Sequence, residues 1–168
     1  LSQLFHPAYM AFPIPGTPQL IAPSNVGPYY AKSAPREVTK EELKVIVKQF
    51  GEAALRFKKA GGDGVEIQAA HAHGLLGGFL TPLYNKRTDE YGAQNFENRC
   101  RFAVELLEAI RAEVGNKCAI EYRISGHDIF PGSPETEEVV EFAKVIQDKI
   151  DMLLVSRGCL AINRYMPL

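Results

Sequence analysis

An α/β fold of parallel strands, built as about half of a TIM (β/α)8 barrel, is predicted by three observations on the sequence. Strand-like and helix-like segments alternate from about residue 39 to residue 156, and each connection is long enough for parallel pairing. The segment 119–125, AIEYRIS, sets Glu121, Arg123 and Ser125 on one side and Ile120, Tyr122 and Ile124 on the other. Segment 64–68 repeats the pattern, with Glu66 and Gln68 against Val65 and Ile67. An open doubly wound sheet carries helices on both faces, so its central strands are nearly all apolar. Polar residues aimed at a shared interior instead suit a barrel whose upper interior forms a site, with the open sheet as the alternative. A whole barrel takes about 250 residues, so three strand units and one strand end make roughly half of one.

The elements follow in order. QLFH at residues 3–6 reads as a short strand end, and the proline- and glycine-rich passage 7–35 as an extended surface loop. Thr39 and Glu42 form a capping box, in which each side chain satisfies the other residue's free backbone N–H. Leu43, Ile46, Val47, Phe50, Ala54 and Phe57 then recur at helical spacing until Gly61 and Gly62. After strand 64–68 and a long loop, a second helix is expected over about 96–114, with a stripe of Phe102, Leu106, Ile110 and Val114 and a stop at Gly115. Strand 119–125 leads into the loop GHDIFPGS. Ser133 followed by Pro134 predicts the cap of a third helix running to about Lys149, and residues 152–156 predict a last strand. Arg123, pointing inward, is expected to need a buried partner in Glu66 or Glu121.

Composition narrows the function classes. The 168 residues are 46% hydrophobic and 23% charged with a formal net charge of -1, which suits a globular domain and favours neither nucleic acid nor an anionic membrane as partner. No apolar run approaches the roughly 20 residues that span a bilayer, and a cytoplasmic location is the default expectation. Cys100, Cys118 and Cys159 are scattered and read as small apolar residues. The chain opens on Leu1 in a strand-like run and stops soon after a strand, so both ends read as cut.

The stretch 60–92 concentrates the candidate chemistry: a strand end, then His71 and His73, a glycine-rich turn and a long polar loop. Three readings of the two histidines stand open. Alternate positions on an extended segment could hold a divalent metal for hydrolysis. They could be loop histidines bonded to backbone. They could also donate hydrogen bonds to a substrate oxygen that gains charge during reaction.

The segment DGVEIQAAHAHGLLGGFLTPLYNKRTDEYGAQNFENRCRF, residues 63–102, resembles the signature of the old yellow enzyme family. These are the FMN-dependent NADH:flavin oxidoreductases and ene-reductases, and the likeness is to their enoate and 2,4-dienoyl-CoA reductase branch. QLFHP near the start, EYRIS at 121–125 and the last strand extend it over nearly the whole chain.

The resemblance implies a TIM barrel with FMN across its carboxyl-end mouth, and hydride passing from NADH or NADPH through flavin to the β-carbon of an activated alkene. It assigns Gln3 and Arg123 to cofactor binding, Gln3 at the flavin ring and Arg123 where charge gathers on reduction. Gln68 and His71 take the three-residue spacing of the carbonyl clamp, although Gln68 brings no charge. The tyrosine that usually gives a proton to the α-carbon is missing, which leaves His73 or solvent in that role. Tyr9 could stack on a ligand or pack in the core, whereas Asn85, Arg87, Asp89 and Tyr91 read as scaffold for the long loop. Residues 1–168 would then be a partial FMN-binding domain spanning about the third to fifth barrel strands and inactive alone, since the family holds the FMN phosphate on later strands. A small unsaturated molecule is the implied partner, and a homo-oligomer is left open. A non-catalytic half-barrel serving binding or assembly, or a metal-dependent hydrolase using His71 and His73, are the alternatives.

Overall fold

Thr39 opens the first long helix as its chemistry dictates. The computed structural model describes residues 1–11, 16, 19–26, 34–72 and 74–158. In it Thr39 Oγ1 accepts from Glu42 N–H at 3.2 Å, and Glu42 Oε2 accepts from Thr39 N–H at 2.9 Å, at the start of α1 (Lys40–Lys59). Arg36 adds two bonds to the same carboxylate at 2.8 and 2.6 Å. With Arg36 as the largest cause and the Thr39 N–H second, the Glu42 carboxyl is held down to about 2 from an ordinary 4.5. A depressed carboxyl stabilises the fold fully above its unfolded value and loses that contribution as pH falls through its folded value. Thermal melts are therefore expected to lose a component of stability between about pH 4.5 and 2, and Glu42→Gln should flatten that limb. An unchanged limb in the variant would count against the assignment.

Four parallel strands form the main sheet in the order β1 (Ser2–Leu4), β4 (Gly64–Gln68), β5 (Ala119–Ser125), β6 (Met152–Ser156). A separate short parallel pair joins β2 (Ile21–Ala22) to β3 (Arg36–Glu37). α2 (Gly74–Leu80) and α3 (Phe96–Val114) follow β4, and α4 (Thr136–Ile146) follows β5. Val65, Ile67, Ile120, Tyr122 and Ile124 point from one sheet face into a core shared with Leu43, Phe50, Phe102, Leu106, Ile110 and Phe142. Among the described residues, helices therefore cover that face, and the polar residues of β4 and β5 line the other, as the alternation predicts. The strands β1 and β6 end the sheet, and Met152, Leu153, Leu154 and Val155 of β6 are all exposed.

Three local expectations change. The glycine-rich turn contains α2, which seven residues with three glycines do not announce. α2 forms because Leu75, Leu76 and Phe79 are buried, so packing outweighs propensity. Ser133 does not cap α4. Gly132, at φ 85°, closes a turn in which Ser133 N–H donates to Phe130 O at 2.9 Å. Ser133 Oγ is buried without a partner among the described residues, and Glu135 takes the cap position, its N–H bonded to Glu138 Oε2 at 3.3 Å. α4 ends at Ile146 rather than near Lys149, whose N–H turns back to Ile146 O. Within the passage 7–35, the described residues include a 3-10 turn at Ala8–Met10 and β2. Cys100 and Cys118 are buried, and Cys159 lies outside the described residues.

The long polar loop is scaffold. Asn85 Nδ2 donates to Phe79 O and Tyr91 O at 2.9 and 2.8 Å, and the Tyr91 hydroxyl reaches both carboxylate oxygens of Glu105 on α3 at 3.2 and 2.9 Å. Burial, then Glu105, pushes Tyr91 up to about 12, so it stays a neutral donor.

Candidate active site

Parallel strands place their carboxyl ends together, and the polar face of the sheet there carries three rows. Gln3, Glu66 and Glu121 are register partners on β1, β4 and β5. Gln68 and Arg123 are partners one level higher, and Ser125 and Ser156 one level above that. Period-two geometry puts all of them on one face.

Polar contacts run within and between these rows. Gln3 Nε2 donates to Glu66 Oε1 at 2.6 Å, and Arg123 Nη1 lies 4.0 Å from the same oxygen. Arg123 Nε donates to Ser156 Oγ at 2.9 Å. The expected buried ion pair is thus a long contact with Glu66, not Glu121, and the Arg123 side chain is 29% exposed. Partial solvation lowers the cost of carrying the charge, so a tight partner is not required. The other N–H groups of Arg123 make no hydrogen bond to a described residue.

Gln68 is buried, and its Oε1 accepts from Ala70 N–H at 2.9 Å. This fixes the amide with its Nε2 hydrogens unspent among the described residues. Three residues on, the chain turns through His71 at φ 68° and Ala72 at φ 48°. Consecutive left-handed non-glycine residues cost on the order of 1–3 kcal/mol each and persist only where neighbours hold them. Here Ser125 Oγ accepts His71 N–H at 2.6 Å, the Tyr9 hydroxyl donates to Ala72 O at 2.5 Å, and His71 Nδ1 lies 2.7 Å from Gly158 O. Behind the turn, a Cβ on Gly77 would lie 2.8 Å from Ala69 O, so only glycine lets α2 approach this closely. The loop after β1 closes the corner, with Leu75 N–H donating to His6 O at 3.0 Å.

The structure therefore brings Gln3, Gln68, His71 and Arg123 to one end of one sheet face. His73 lies outside the described residues. Tyr9 is a packed aromatic, 4% exposed with its ring 5.3 Å from that of Tyr84. Among the described residues, no group of three or more His, Cys, Asp or Glu side chains could hold a metal ion. Ser125, Ser156, Asp128 and the Gly158 carbonyl belong to the site without having been singled out. Only the strand alternation, which places Ser125 beside Arg123, signalled any of them.

FMN can be tested against these side chains. Its ring system offers an edge of carbonyl and nitrogen acceptors that becomes negative on reduction. A partly solvated guanidinium with unspent donors and a glutamine whose Oε1 remains free to accept fit such an edge. The group fits the residues present.

Comparison with known proteins agrees. The family described as NADH:flavin oxidoreductase / NADH oxidase matches residues 16–163. The NADPH dehydrogenase of Clostridium acetobutylicum is 42% identical over 149 residues, covering 86% of this chain and 43% of the relative. Morphinone reductase in complex with tetrahydroNAD superposes with a TM-score of 0.78 at 28% identity, over 91% of this chain and 47% of that one. Histamine dehydrogenase from Rhizobium sp. 4-9 does so with a TM-score of 0.85 at 30% identity, over 94% of this chain and 23% of that one. The chain thus spans less than half the length of each of these relatives. Its four strands are an arc of a TIM barrel, and the open-sheet alternative is set aside. The family's cofactors are FMN and a reduced nicotinamide. With this family matched over nearly all its length and the signature residues seated at the strand ends, the chain belongs to the NADH:flavin oxidoreductase / NADH oxidase family.

Proposed function

We propose that residues 1–168 are a partial FMN-binding barrel domain of an oxidoreductase that reduces an activated C=C bond with NADH or NADPH. The observation that carries this reading is the pairing of Gln68 with Arg123 on adjacent strands, each with unspent donors, beneath the His71 turn. Bound FMN supplies the relay of hydride from nicotinamide to the β-carbon of a small unsaturated substrate.

The protein's part is electrostatic and geometric. Arg123 offers a fixed positive charge where the flavin edge gathers negative charge, with Gln3 bonding the same ring system. Gln68 Nε2 and the His71 ring hold the substrate carbonyl, drawing electron density from the alkene. His73 gives the proton to the α-carbon, with solvent as the other source. The names of the relatives fit this class, a morphinone reductase and an NADPH dehydrogenase among them.

The test is turnover of 2-cyclohexen-1-one by the full-length protein that contains residues 1–168, loaded with FMN, with NADH and NADPH in parallel. Gln68→Ala and His71→Ala should each lower kcat/KM by roughly 10–100-fold while flavin content stays constant, the effect of losing one donor to a developing charge. Turnover that is indifferent to both substitutions would remove these residues from the site. A flavin-loaded protein that consumes neither nicotinamide with any enone would favour a binding or assembly role.

A further inference from the structure

A small cavity lies where the turn after β4, the end of α2 and the loop after β5 meet. It offers about 10 Å³ to the centre of a water molecule, and Ala69, Ala72, Gly77, Thr81, Ser125 and Asp128 are among its walls. One buried water needs roughly 10–15 Å³ by that measure, so the space suits a single molecule. A purely apolar cavity of this size stays dry, but Thr81, Ser125 and Asp128 put three buried polar side chains in this wall. Asp128 is 6% exposed, and its Oδ1 is buried without a hydrogen-bond partner among the described residues. Thr81 Oγ1 accepts from Leu83 N–H at 3.3 Å, while its own proton has no acceptor among the described residues. Ser133 Oγ, next to the lining residue Pro134, is a second buried group without a partner among them. The cavity thus joins an acceptor that lacks a donor to a donor that lacks an acceptor.

We propose that this cavity binds one ordered water molecule, which donates to Asp128 Oδ1 and accepts from the Thr81 hydroxyl. A water gives and takes two hydrogen bonds each way, so it satisfies both orphaned groups and ties the loop after β5 to the end of α2. Ala69 and Ala72 in the same wall belong to the strained turn at His71 and Ala72, so the bridge lies against the backbone of that turn. Gly77 keeps the space this small: a Cβ there would lie 2.8 Å from Ala69 O and 2.9 Å from the Ala72 carbonyl carbon, so α2 sits directly on the turn. A hard cation such as calcium is the competing occupant of a wall that carries a carboxylate. It takes about six to eight oxygens, whereas the side chains lining this cavity bring those of Thr81, Ser125 and Asp128. The inference stands apart from the alkene-reduction reading and does not depend on it.

The experiment combines a high-resolution crystal structure with amide hydrogen exchange, on the full-length protein that contains residues 1–168, loaded with FMN, as the native protein and as Thr81→Val. Valine keeps the shape of threonine and removes the hydroxyl donor. The native protein should show one solvent peak in the cavity, roughly 2.7–3.2 Å from both Asp128 Oδ1 and Thr81 Oγ1. The variant should lose the peak, and the backbone amides of residues 126–133 should exchange roughly 5–150-fold faster, the effect of stranding a buried acceptor. An empty cavity in the native protein, a protein donor on Asp128 Oδ1, or a peak ringed by about six or more oxygens at the roughly 2.3–2.6 Å of a bound cation would each overturn the proposal. So would a peak that survives in the variant, or exchange that the substitution leaves unchanged. If Thr81→Val does not fold, the density of the native protein decides it.

Discussion

Arg87→Ala is expected to cost about 3–5 kcal/mol of stability, the range for leaving buried charged and polar partners uncompensated. The Arg87 side chain is 3% exposed and joins three segments of the chain. Its Nη1 donates to Val38 O at 2.7 Å and to Pro23 O at 3.1 Å, while Nε and Nη2 take both oxygens of Asp89 at 3.0 and 2.6 Å. Glu37 lies 3.3 Å from Nη1 at the half-exposed end of β3. The substitution strands two buried carbonyls and one carboxylate at once, because no other side chain presents five N–H donors in a planar fork. Chemical denaturation at neutral pH measures the loss. Arg87→Lys should recover only a minor part, because an ammonium cannot serve two carbonyls and a bidentate carboxylate together. A loss below about 1 kcal/mol for Arg87→Ala would show that the loop does not depend on this residue.

Arg123→Ala in the full-length protein that contains residues 1–168 is expected to slow reduction of the bound flavin by NADH or NADPH by roughly 10²–10³-fold, the cost of removing one preorganised donor to a developing negative charge. The fold should tolerate the change better than it tolerates loss of Arg87. The Arg123 side chain is 29% exposed, and among the described residues its one carboxylate contact is 4.0 Å long and Ser156 is its one hydrogen-bond partner. Stopped-flow reduction and the two-electron potential report on it together. Arg123→Ala should make the potential more negative, and Arg123→Lys should restore part of it, since charge matters more than the fork at a single acceptor edge. A variant with native potential and native reduction rate would return Arg123 to a purely structural role.

The comparison of sequence with structure is instructive at particular residues. Thr39 and Glu42 were legible because a capping box is a local exchange of two hydrogen bonds within four residues. The strand faces of β4 and β5 were legible because side-chain direction alternates with period two whatever the neighbours. The cap of α4 was misplaced because Ser133 and Glu135 are both competent caps. The turn at Gly132 chose between them by using up residues 130–133. α2 was missed for the opposite reason: Gly77 and Gly78 weaken the helix signal, yet glycine is what the close approach to Ala69 and to Pro23 requires.

For this protein, the sequence by itself determined the order of the long helices and the main strands, and the two faces of β4 and β5, which set Glu66, Gln68, Glu121, Arg123 and Ser125 on one side. Each of these depends on spacing along the chain. Only the tertiary structure decided that Arg123 leans on Ser156 rather than Glu121, that Tyr9 secures Ala72 from a loop 63 residues away, and that His71 meets Gly158. Those contacts join separate βα units, and their distances follow from how parallel strands stack their carboxyl ends, which no local pattern encodes.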